Sequence, residues 1–498
     1  MHHRNGLRAH PRLWATTAIV LAAATGTAAH ADTPVAGPLS VYGTIDVGLG
    51  YQSAGVPANG ATGIEYQAFT TTRNFGGSQT LVTENALEYT KLGIKLNQPI
   101  TKDLALVGQA EAWINPLSGQ LEDSCKSIAQ NSGVADAKQT AAFDSAGCGQ
   151  AFSRGLFGGI ASKTYGTLTF GRQNTPFMAV LAAFDPQANA PAFSFIGYSG
   201  TLGGAGTTGA SRWNNAIKYA YAQGPFHVVA EFAGKSPDSG EPGTSWGVTG
   251  GVTTGGFSLD LGYEQENAVV SLRSADDNAA NPLTNTLGAA NGGDIWNSVN
   301  QNGLSGYLSK DTAYLAVAKY AMDFSDKSKL TLFAGFEHFE KAYAANPYGG
   351  IAGISQGGYP VAIDLEITST PKYDFEWFGA RYVTARGLAI SAAYYNAHVG
   401  DWAVGLTTNG AGPLAGVPAG LSLGCAAAGL LCAGSFHEAS LILDKPIHKL
   451  VDLYLGVNWS QVTNGLAFGF PGNQGGGGVG TTGSQTQTGV YTGVRIKF

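Results

Sequence analysis

Five basic residues, Lys91, Lys95, Arg212, Lys218 and Arg495, fall on the polar side of short segments whose other side is apolar. Lys91 and Lys95 alternate with Leu92, Ile94 and Leu96, while Arg212 and Lys218 oppose Ile217, Tyr219 and Tyr221. Arg495 and Lys497 share a face of the closing GVYTGVRIKF, whose other face carries Val490, Thr492, Val494, Ile496 and Phe498. Alternation at period two is the mark of a strand. Fixed cations on the polar face of such strands would attract anions along a wet wall; they are not arranged to make or break bonds.

Bond chemistry has little else to work with. A hydrolase needs a nucleophile held beside a base and an orienting group, and the sequence has no G-x-S-x-G elbow. Of its nine histidines, His2, His3, His10 and His30 lie in the first 31 residues, and His338 and His398 lie near strand ends. The run Gly475 to Gly480 formally contains G-x-G-x-x-G, but a nucleotide site needs it between a strand and a helix. Here it sits in a Gly/Thr/Gln-rich loop. No enzyme, cofactor or metal site is expected, since only Glu122 and Asp123 lie close to a cysteine.

The elements that must position the cations are strands throughout. Alternating runs recur at Leu39 to Tyr51, Lys91 to Leu96, Arg212 to Tyr221, Leu330 to Glu337 and Leu453 to Ser460. Each is about ten residues, enough for a tilted strand to cross a bilayer. Connections alternate in length. Short ones include 97–103, 223–225, 323–327, 385–387 and 444–449; long ones include 52–84, 115–150, 173–211, 267–310, 342–372, 400–434 and 464–485. Short turns on one rim and long loops on the other describe an all-β, transmembrane antiparallel β-barrel of about 16 strands, with the short turns in the periplasm. A soluble sandwich or propeller would bury its apolar faces and would not need such lopsided connections. Aromatics near strand ends (Tyr51, Tyr89, Trp113, Tyr221, Tyr320, Trp377, Tyr394, Trp459, Phe498) suit girdles at the membrane interfaces.

Composition agrees. Charged residues make up 12% of the chain and glycines number 72, whereas soluble domains carry about 25% charged residues. Arg4, Arg8 and Arg12, an apolar stretch from Leu13 to Ala24 and Ala29-His30-Ala31 form a secretory signal over residues 1–31, leaving 32–498 as the barrel domain. Without those three arginines, 25 basic residues face 34 acidic ones, a net charge of −9, and no basic patch invites nucleic acid. In an exported chain the cysteines Cys125, Cys148, Cys425 and Cys432 read as loop-closing disulfides, sequence-local pairing being the simplest connectivity.

Several stretches resemble the general Gram-negative porins of the outer membrane: SVYGTIDVGLGY (40–51), TKLGIK (90–95) with Glu111, FSRGLFGG (152–159), YGTLTFGRQNTP (165–176), RWNNAIKY (212–219) and the closing GVRIKF. The resemblance implies a sixteen-stranded barrel, a homotrimer, and passive diffusion of small hydrophilic solutes and ions. It also implies that the third loop, about 173–211, folds inward and narrows the pore. In that light Lys91 replaces an arginine of the family's basic wall and Arg154 occupies another basic position. Parity around Arg154 is mixed, because Leu156 and Ile160 share its register. Arg172 would turn outward with Leu168 and Phe170 unless the chain bends in. The inward loop holds one carboxylate, Asp185. The expected eyelet is therefore Lys91, Arg154, Arg172 and Arg212 facing Asp185, with Lys95, Lys218 and Arg495 elsewhere in the lumen and a modest anion preference. Phe498 would be the C-terminal signal for barrel assembly, and the partners would be outer-membrane lipid and copies of the chain. A channel specific for sugars or small organic acids is the alternative.

Overall fold

The structure, a computed structural model, describes residues 33–53, 78–121, 123, 150–197, 211–235, 242–273, 304–345, 353–356, 359–370, 372–400, 403–406, 422–423, 433–464 and 483–498. The expected signal segment 1–31 and the four cysteines lie outside the described residues.

Sixteen strands close into one antiparallel barrel. In chain order they are Leu39–Gln52, Gln79–Glu84 continued by Lys91–Pro99, Leu104–Trp113, Gly155–Ser162, Gly166–Asn174, Arg212–Gln223, Phe226–Ala233 and Ser245–Thr254. The ninth to sixteenth are Phe257–Arg273, Leu304–Asp323, Lys329–Tyr343, Lys372–Val383, Ala389–Val399, Gly434–His448, Val451–Asn464 and Gly483–Lys497. The sixteenth pairs with the first from Thr44↔Lys497 to Gln52↔Gly489, so no edge is left open to lipid. Phe498 completes that seam: Gly43 N donates to its carbonyl at 2.8 Å, and its own N–H returns to Gly43 O at 3.1 Å. Gly43 leaves room for the Phe498 ring, which lies 2.5 Å from where a Cβ would stand.

Alternation decides which side chains meet lipid. On the fifteenth strand Leu453, Leu455, Val457 and Trp459 are exposed, whereas Tyr454, Asn458 and Ser460 are buried inside. Periplasmic turns are tight; Gly255 and Gly256 both have positive φ, as a two-residue hairpin turn requires.

Three features depart from the sequence reading. Segments 342–372 and 400–434 carry strands of their own (Gly353–Gln356, Tyr359–Ser369, Ala403–Leu406 and Ser422–Leu423), and the second of these pairs in parallel with residues 304–308. Strands here outrun the bilayer, so pairing continues above it. Second, Tyr89, Trp113 and Trp377 are buried on the inner face, not in a girdle. On the twelfth strand Tyr373, Phe375 and Trp377 all point inward while Glu376 is exposed outside. Third, the second strand breaks at 85–90. The Asp46 carboxylate accepts N–H bonds from Leu87 and Glu88, both at 2.7 Å, and Thr90 N donates to Asn85 Oδ1 at 2.7 Å. These side-chain bonds satisfy backbone groups that the ladder abandons.

Candidate functional site

The third loop enters the barrel as the α-helix Pro176–Phe184. Thr175 caps it, its Oγ1 accepting from Met178 N at 3.2 Å, and Pro176 fills the first turn, where its missing N–H costs nothing. Wall residues then complete both ends. Phe177 N donates to Glu264 Oε1 at 2.7 Å, and Lys319 Nζ donates to Ala183 O at 2.8 Å. An acid at the N-terminus and a cation at the C-terminus is the arrangement the helix dipole favours. The helix is apolar on nearly every side because it is enclosed: Phe177, Val180, Leu181 and Phe184 pack on Leu315, Val317, Phe339 and Trp377 of the inner wall.

Beyond the helix, the loop runs along the inside of the twelfth to sixteenth strands. Trp377 Nε1 donates to Phe184 O at 3.1 Å, and Gln187 Nε2 donates to Ser440 Oγ at 2.8 Å. Asn458 Nδ2 donates to Ala192 O at 2.8 Å, and the Phe193 ring meets Tyr491 edge-on at 5.6 Å. Ala192 N finally donates to Ala86 O in the broken second strand. The break thus serves as the far mooring of the loop.

Asp185 belongs to this mooring. It is buried, and it accepts the Tyr395 hydroxyl and the N–H groups of Gln187 (3.1 Å) and Asn189 (2.6 Å). This corrects its expected place as the acid facing the cations: a carboxylate spent on three donors holds the loop to the wall. Arg172 is corrected too. It pairs across the ladder with exposed Leu156, so it keeps the outward register, and it donates to Ser153 O and Asn214 Oδ1, each at 2.8 Å. Gln173 takes the next inward position, its amide oxygen accepting from Thr169 Oγ1 at 2.6 Å; the bulge here lies in the facing sixth strand, between Trp213 and Ala216.

Lys91, Arg154 and Arg212 gather on the second to sixth strands, where the loop touches Ala86 and Leu87 and, at its base, Arg212 and Lys218. Glu111 stands at their centre: Arg154 Nε donates to one oxygen, and the Tyr42 hydroxyl donates to the other at 2.5 Å. Lys91 and Arg212 also exert attraction on it. Lys91 Nζ pairs with Glu88 at 2.7 Å. Trp113 gives the cluster a platform, with Arg154 at 4.7 Å and Arg212 at 4.9 Å from its ring and Tyr89 stacked at 4.4 Å. Lys95, a step lower, lies 4.2 Å from the Tyr42 ring. Lys218 and Arg495 also face inward, but with carboxylates: Lys218 with Glu231 at 3.1 Å, Arg495 with Asp452 at 2.7 Å and Asp444 at 2.8 Å. Sequence reasoning missed Glu88 and Trp113 as members; the i, i+3 spacing of Glu88 and Lys91 was the available signal.

Residues 15–346 match the family described as Gram-negative porin. The chain belongs to that family. Among solved structures, the anion-selective porin from Comamonas acidovorans is similar over 92% of this chain and 99% of its own, at 14% identity and a TM-score of 0.52, which supports the shared fold. A loop-deletion form of OmpT, an outer membrane protein of Vibrio cholerae, is similar over 92% and 99% at 13% identity and a TM-score of 0.49. No curated protein matches the sequence. This porin is a general channel of the Gram-negative outer membrane and not an enzyme.

Proposed function

We propose that the porin passes small hydrophilic solutes and ions down their gradients, with a modest preference for anions set by Lys91, Arg154 and Arg212. One observation carries this reading: on the second to fourth strands and the start of the sixth, three cations surround two acids, Glu88 and Glu111. The excess is small because Lys218 and Arg495 are matched by their own carboxylates. The anion selectivity named for the Comamonas acidovorans porin is consistent with it. Planar bilayers holding a potassium chloride gradient test the reading: the reversal potential should have the anion sign, and a cation sign would defeat it.

The porin is further proposed to act as a homotrimer, in which case conductance should appear in steps of three. The four cysteines are proposed to form the local pairs Cys125–Cys148 and Cys425–Cys432, and residues 1–31 to be removed on export. Peptide mapping without reductant and N-terminal sequencing of the purified protein check both.

A further inference from the structure

We propose that three glycines of the inner wall, Gly262, Gly379 and Gly456, are sockets that set how far the third loop stands off the wall, and so set the bore of the channel. They lie on the ninth, twelfth and fifteenth strands. Each receives one residue of the loop. A Cβ on Gly262 would stand 2.6 Å from Phe177 Cε1, one on Gly379 2.5 Å from Pro186 Cγ, and one on Gly456 2.4 Å from Phe193 Cε1. Carbon atoms do not pack that closely, so the loop reaches this depth only where the wall carries no side chain. Neither ring has room to swing aside, because Phe177 and Phe193 are both fully buried.

Hydrogen bonds hold the loop beside every socket. Phe177 N is bonded to Glu264 Oε1 at 2.7 Å. Pro186 lies between the Trp377 bond to Phe184 O and the Gln187 bond to Ser440 Oγ. At the third socket Ser440 Oγ donates to Phe193 O at 2.5 Å, next to the Asn458 bond to Ala192 O. These bonds fix where along the wall the loop lies, and the sockets fix its depth. Inside a closed barrel, a segment pushed off the wall can move only toward the axis. Carbon atoms in ordinary contact stay at least about 3.5 Å apart, so a methyl group in a socket would drive its partner inward by about 1 Å. That shift takes cross-section from the channel, and diameter governs which solutes pass. Bore is independent of ion preference: a cation-sign reversal potential would leave the sockets standing.

Single-channel conductance of the full porin, and liposome swelling with a monosaccharide and a disaccharide, test the sockets. Gly456→Ala and Gly262→Ala should each lower the conductance step and slow disaccharide entry more than monosaccharide entry. Gly379 is the poorer probe, because its Cβ would also meet Ala392 O of the ladder at 2.5 Å. Phe193→Leu removes the two ring atoms nearest the Gly456 socket, Cε1 and Cζ. Combined with Gly456→Ala, it should restore the wild-type step, whereas a strand merely weakened by alanine would not be mended by a change in the loop. Unchanged conductance and sugar entry in both alanine variants overturns the sockets, as does a fall in Gly456→Ala that Phe193→Leu leaves in place. Should Gly456→Ala fail to assemble, assembly becomes the readout: Phe193→Leu should restore it, and failure to restore it overturns the socket as well.

Discussion

The inner wall of this barrel has two unlike sectors. From the eighth strand to the sixteenth it carries the third loop. There, aromatic and aliphatic side chains such as Leu315, Phe339, Phe375 and Trp377 enclose an apolar helix. Buried polar groups in that sector hold the loop, among them Glu264, Asp185 and Asn458. From the second strand to the sixth, bases and the acids among them cluster around Trp113. Hydrophobic packing and hydrogen bonds fix the loop in one sector; in the proposed reading, the cations of the other act on passing ions. Both sectors use arginine, lysine, glutamate and aspartate; what differs is whether each charge is consumed by structure.

The sharpest way to break this contrast is to unmoor the loop. Trp377→Ala removes a buried indole, its bond to Phe184 O and its packing on Gly335. It should cost about 3–5 kcal/mol, read as a large fall in the temperature at which the barrel unfolds on heated gels. Asp185→Ala should cost less, about 1–3 kcal/mol, because it leaves the Tyr395 hydroxyl and two N–H groups without their acceptor. Its readout is a noisier open-channel current as the loop loosens. In the basic sector Arg154→Gln should leave stability less affected and act on selectivity. A unit charge a few ångström from an ion in water is worth about 1 kcal/mol, so the anion-to-cation permeability ratio should fall several-fold.

The smallest effect belongs to neither sector. In the periplasmic turn, Asp103 accepts from Ser162 Oγ at 2.7 Å and from Thr164 Oγ1 at 2.9 Å, bonds that hold its carboxyl below the usual carboxylate range. A folded-state value below the unfolded one gives stability that is present above the unfolded pKa, about 4, and is lost as pH falls through the folded value. The melting-temperature advantage of the wild type over Asp103→Asn should be constant above about pH 4 and shrink below it. A constant difference down to pH 2 would show that the turn does not use the charge.

Alternation made the barrel legible, because a strand between lipid and water must change polarity at every residue; Lys91, Lys218 and Arg495 were readable as inward on that ground. Alternation fails where the inside is itself apolar. Tyr373, Phe375 and Trp377 look like lipid-facing residues, yet they face the loop helix, and only the loop's own run of apolar residues hinted at a partner for them. It fails again at the bulge in the sixth strand, where one extra residue between Trp213 and Ala216 puts Trp213 inside with Ala216. Asp185 was found by type and misplaced by role, since whether a carboxylate meets water or Tyr395 depends on contacts more than 200 residues apart in sequence. The break at 85–90 was not legible; it depends on the side chain of Asp46 from the neighbouring strand.

Chemical access to the two sectors is the most direct measurement. Lys95→Cys places a thiol on the basic wall, and Val317→Cys places one beneath the loop helix. Both are treated with a charged, thiol-specific methanethiosulfonate during current recording, with the wild type as background. If ions travel along the basic sector and the loop seals the other, Lys95→Cys should lose current quickly and Val317→Cys should not respond. Rapid block of Val317→Cys with an inert Lys95→Cys would place the channel on the opposite wall and contradict the division described here.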